Sequence, residues 1–135
     1  MKKIIIAALT IMLGTAVLGA AEVKDKKMAE DMKAMMNAMI DIEKSWFYEN
    51  PRGIKKGVKK LIDNLEHMKK TDAKGYLPKD KEYANRFAKK RADMIELYAA
   101  DLIDSIEAGE DQDVLDNYTQ IMNQCTSCHM RIRNW

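Results

Sequence analysis

Apolar residues recur at intervals of three and four along most of this chain, the period of amphipathic helices, and no stretch reads as a strand. From Lys24 to Asn50 the stripe is Met28, Met32, Met35, Met39, Ile42 and Trp46. Asn50-Pro51-Arg52-Gly53 stops it. A second helix is predicted from Ile54 to Lys70, with Ile54, Val58, Leu61, Ile62, Leu65 and Met68 inward and Gly57 as a slight weakness. Thr71 to Lys79, holding Gly75 and Pro78, reads as the longest loop. Asp80 then caps a third helix that runs to Ala108 and stops at Gly109, burying Tyr83 or Ala84, Phe87, Met94, Tyr98, Leu102 and Ile106. Asp111 or Asp113 starts the last helix, whose stripe is Val114, Tyr118, Ile121, Met122, Cys125, His129 and Ile132. Short connections between four such helices predict an all-α domain over residues 22–135, an antiparallel up-down-up-down four-helix bundle.

Residues 1–21 follow another pattern. Lys2 and Lys3 precede an apolar run from Ile4 to Leu18, and the small residues Gly19, Ala20 and Ala21 follow, which is the layout of a cleaved secretory signal peptide. The run is shorter than the roughly 20 apolar residues that span a bilayer, and no cysteine stands there for lipid attachment. The processed protein is therefore expected in the periplasm, without a membrane span. The full sequence holds 23 Lys and Arg against 21 Asp and Glu, and loss of Lys2 and Lys3 balances the two. No basic excess then argues for nucleic acid, and no such partner is expected.

Near the C-terminus stand Cys125-Thr126-Ser127-Cys128-His129, the CxxCH attachment sequence for c-type haem. Two thiols add across the haem vinyl groups, and the adjacent imidazole ligates iron. On a helix the three side chains face one way, so the expected cofactor is one covalent haem c held by Cys125, Cys128 and His129. A redox CxxC belongs near a βαβ pattern, which is lacking here, and a tetrahedral zinc site would have to recruit His67, the one Cys or His outside the motif. A simple disulfide gives no reason for the histidine. The other histidine, His67, lies two residues beyond Leu65 and is predicted to point to water.

A four-helix bundle with CxxCH in its last helix resembles the cytochrome c prime family. The likeness continues in His129-x-x-x-Arg133, because a basic residue four after the ligand is usual there; it implies a proximal-side role for Arg133. The stretch Asp31-Met32-Lys33, through Met35 and Met39 to Ile42-Glu43-Lys44, resembles the first helix of the soluble b-type cytochrome that shares the bundle. That likeness implies Met32 as the second axial ligand. In an antiparallel bundle Met32, near the start of the first helix, and His129, near the end of the last, also come to one level. Arg91 falls among inward positions between Phe87 and Met94, either as the partner of a haem propionate or snorkelling from the bundle edge. Tyr118, two turns before Cys125 on the same face, reads as a core residue, with packing towards the cofactor as the alternative.

These readings lead to a periplasmic one-electron carrier with His/Met ligation, dependent on the c-type haem maturation machinery and on periplasmic redox partner proteins. No general acid or base stands beside an open iron site, so an enzyme is not expected. Many members of the family pair as homodimers, which leaves that state open. The runner-up is a five-coordinate protein binding nitric oxide or carbon monoxide in a pocket of helix-one methionines. A third reading is a copper carrier using the same soft sulfurs. The runs Lys55-Lys56, Lys59-Lys60, Lys69-Lys70 and Lys89-Lys90-Arg91 read as solvated helix faces, with a docking patch for an acidic redox partner as the alternative.

Overall fold

A computed structural model of the protein describes residues 26–77 and 83–133; the signal peptide expected at 1–21, the cap expected at Asp80 and the side chain of Arg133 lie outside the described residues. The chain forms four helices, α1 (Lys26–Phe47), α2 (Pro51–Lys70), α3 (Ala84–Ala108) and α4 (Asp111–Arg133), with a 3-10 turn at Ala73–Gly75. The fold is all-α, a four-helix bundle with no strand among the described residues. None of the described helices is long and apolar enough to cross a membrane.

The break between α1 and α2 is tighter than the sequence suggests. Asn50 both ends one helix and starts the next: its N–H donates to Ser45 O, while its side chain accepts from Gly53 N at 3.1 Å. Pro51 then occupies the first turn of α2, where its missing N–H costs nothing, so this helix starts three residues before the expected Ile54. Gly57 proves to be a requirement of packing: a Cβ there would lie 2.6 Å from Ile42 Cγ1 and 3.2 Å from the Ala38 carbonyl. Its absence lets α1 and α2 close together.

Close packing joins α1 to α2, α2 to α3 and α3 to α4. Positions fall along one partner as they climb along the next: Lys60 pairs with Asp41 and His67 with Asp31, and Lys55 pairs with Glu107 and Lys69 with Asp93. The core holds Ile54, Val58, Leu61, Leu65 and Met68 from α2 as expected, with Met28, Met35, Met39 and Ile42 from α1. In α3 the buried face is rotated from the predicted one. Ala84, Ala88, Ala92, Ile95, Ala99, Leu102 and Ser105 lie inside, Phe87, Met94, Tyr98 and Ile106 are half-buried, and Tyr83 is exposed. Small side chains let α3 approach its neighbours, and the large ones flank the seam. Likewise α4 buries Val114, Ile121, Gln124 and Cys128, while Met122 of the predicted stripe is exposed.

Candidate haem-binding cavity

Between α1 and α4, which are not among the closely packed pairs, lies a cavity of about 410 Å³, within the range of roughly 300–1,000 Å³ usual for cofactor pockets. Its wall takes Met32, Met35, Met36 and Met39 from α1, Leu65 and Met68 from α2, Arg91 and Ile95 from α3, and Tyr118, Met122, Gln124, Cys125, Cys128 and His129 from α4. Five of the six residues singled out from the sequence, Met32, Arg91, Cys125, Cys128 and His129, therefore meet at one space, as does Tyr118. The position of the Arg133 side chain is outside the described residues. Among the described residues no group of three or more His, Cys, Asp or Glu could hold a metal ion.

Burial sets the chemistry of the two thiols. Cys128 is pushed up to about 11, first by burial and then by neighbouring Cys125, against the lowering pull of Arg91 and Arg131; burial also raises Cys125. A catalytic redox CxxC needs a depressed thiol, so this environment opposes that chemistry. Burial also raises the phenol of Tyr118, with Glu43 and Cys125 adding to it. Tyr76 is pushed up to about 12 by burial first and by Cys128 second, and its hydroxyl is buried with no hydrogen-bond partner among the described residues.

Arg91 is half-buried. Its Nη1 donates to Gln124 Oε1 at 2.7 Å, and its guanidinium lies 5.0 Å from the centre of the Phe87 ring. Arg131 lies 4.2 Å from the same ring. Arg91 lines the cavity, while its Nε is buried with no acceptor among the described residues. Two thiols and an imidazole on α4, thioethers on α1, a largely apolar lining and one arginine at the wall are the residue types that suit a haem.

Sequence reasoning missed two polar members of the neighbourhood. Gln124, which holds Arg91, is buried one residue before Cys125. Asp31 is only 2% exposed. Its signal was legible, because Met28, Asp31, Met35, Ala38 and Ile42 form a three-four series in which the aspartate holds an inward position. His67 is a correction. It is 32% exposed, and its Nδ1 lies 2.7 Å from Asp31 Oδ2, so it turns back to α1 across the seam that the predicted outward face ignored.

The lysine runs of α2 lie on solvated faces as expected, with Lys56, Lys59, Lys60 and Lys70 exposed, and several of them also pair across to neighbouring helices. Lys60 pairs with Asp41 of α1 at 2.7 Å, Lys55 with Glu107 of α3 at 2.5 Å, and Lys69 with Asp93 and Glu96 of α3 at 3.1 and 2.8 Å. Searches of protein-family models, curated proteins and solved structures returned no match for this chain.

Proposed function

We propose that this chain is a monohaem c-type cytochrome of the cytochrome c prime kind, exported by residues 1–21 to the periplasm, where it carries single electrons and is not an enzyme. The observation that supports this is the common cavity of Met32, Cys125, Cys128 and His129. Cys125 and Cys128 would form the two thioethers, His129 and Met32 the axial ligands, and Arg91 at the cavity wall would take a propionate. Arg133 would serve the proximal side, as the family likeness implies. Bound there, haem supplies a one-electron couple at iron whose potential Met/His ligation raises. The protein's part is to keep both ligands in place through a redox change and to exclude water with its apolar wall. The maturation machinery for c-type haem and periplasmic redox proteins are the partners proposed.

The test is the optical and resonance Raman spectrum of protein matured with that machinery. Low-spin ferric iron with the weak far-red band of thioether ligation is expected, and Met32→Ala should turn it high-spin. The apolar lining by Met35, Met39, Leu65 and Ile95 favours a second reading, in which iron is five-coordinate and the cavity admits nitric oxide or carbon monoxide. High-spin wild-type iron that binds either gas would select it. A colourless product with free or disulfide-linked thiols would end both readings, and binding of Cu(I) by that product would point to the copper carrier.

A further inference from the structure

We infer that Asp31 and His67 are positioning residues for the second axial ligand: the contact between them fixes the turn of α1 from which Met32 meets the cavity. The inference rests on the haem reading above and adds to it which sulfur is presented, and why.

The methionine wall is degenerate. Met32, Met35, Met36 and Met39 all line the cavity, and a small rotation or slide of α1 would exchange one thioether for another at little apolar cost. The cavity separates α1 from α4, so the position of a methionine relative to His129 is passed round the bundle through α2. At the far end of the α1–α2 seam the fit of Ile42 against Gly57 and the Lys60–Asp41 pair hold the helices. At the end nearest Met32 the buried α1 side chains Met28 and Met35 are flexible methionines, and the charged-group contact there is that of Asp31 with His67.

Asp31 is buried beside Met32 with Lys27 on Oδ1 and His67 Nδ1 at 2.7 Å from Oδ2. The imidazole is held at its other end, since Nε2 lies 3.1 Å from Thr71 Oγ1, and that hydroxyl is 2.9 Å from the His67 carbonyl. Turning α1 by one residue would carry the carboxylate away from Lys27 and His67 and break this chain of contacts. A buried ionic group that adds little net stability can still choose one packing register among several.

The experiment compares haem-loaded wild type with Asp31→Leu, Asp31→Asn, His67→Leu, Met32→Ala and the double variant Asp31→Leu/Met32→Ala. Far-red absorbance, ferric electron paramagnetic resonance and midpoint potential are read, with far-ultraviolet circular dichroism as the check on folding. Asp31→Leu and His67→Leu should lose most of the far-red band or split it into two ligation states, with a shifted potential. Asp31→Asn, which keeps a polar partner for the imidazole, should retain one state. The double variant should match Met32→Ala, since Asp31 acts through Met32. If Asp31→Leu does not fold, the half-exposed His67→Leu decides alone. A folded leucine variant with the wild-type spectrum and potential overturns the inference while the cytochrome reading stands. A colourless wild type removes both.

Discussion

Cys125 and Cys128 occupy a medium that disfavours their thiolates, and that has consequences before any cofactor arrives. With Cys128 pushed up to about 11 from an ordinary 9.0, the folded chain holds this proton more tightly than the unfolded chain does. Its contribution is neutral below the ordinary value and turns destabilising as pH rises from there towards the folded value. In the haem-free chain, alkylation of Cys128 by iodoacetamide should therefore be slow at neutral pH and climb with an apparent pKa near 11. A pH–rate profile by mass spectrometry measures it, and a midpoint near that of a free thiol would show the site to be open. Asp31 is another polar side chain drawn inside by its register, where Lys27 and His67 meet its carboxyl group. The residue type alone argued for the surface.

The helices end by a shared device with unequal residues. At the close of α3, Gly109 has φ +74 and the Glu110 N–H donates back to Ser105 O at 3.0 Å. At the close of α1, the Asn50 N–H reaches Ser45 O in the same way, but the left-handed position belongs to Glu49, with φ +49. A side chain strains that conformation. Replacing Glu49 by Gly should stabilise the protein by about 0.5–1 kcal/mol in urea unfolding, whereas a loss would mean that the Glu49 side chain makes a stabilising contact. The glycine at 109 announced its helix end in the sequence. The end at Glu49 was legible from Asn50-Pro51 instead, and the same pair marked the start of α2, because asparagine caps and proline suits a first turn. Rotation about the helix axis was harder to read. In α3 the large residues drew the predicted face towards Phe87 and Tyr98, while close approach required the alanines.

Across the whole molecule, charge and apolar packing have different jobs. Lys60 lowers the pKa of Asp41 by hydrogen bond and field, so that pair stabilises above the ordinary carboxyl value and loses its effect as pH falls through the depressed one. Glu96 and then Asp93 raise Lys69, whose contribution is complete below the ordinary ammonium value and lost as pH climbs through the raised one. Both therefore act across neutral pH. Exposed pairs of this kind are screened by solvent and add little each, so raising NaCl to about 1 M should leave the urea midpoint nearly unchanged. Urea titrations at low and high salt measure this. A collapse of stability would show that ion pairs, and not the core of Leu61, Leu65, Leu102 and Ile121, hold the bundle.

Taken alone, the amino-acid order determined four helices, most of their limits, the inward stripe of α2 and the CxxCH spacing on α4, because periodicity, capping and motif spacing are local properties. Only the tertiary structure decided which rotation of α3 and α4 is buried, that His67 returns to Asp31, and that the methionines of α1 share a cavity with Cys125, Cys128 and His129. Those outcomes depend on how closely neighbouring backbones can approach, as at Gly57 and the alanines of α3, and a local pattern carries no measure of that distance.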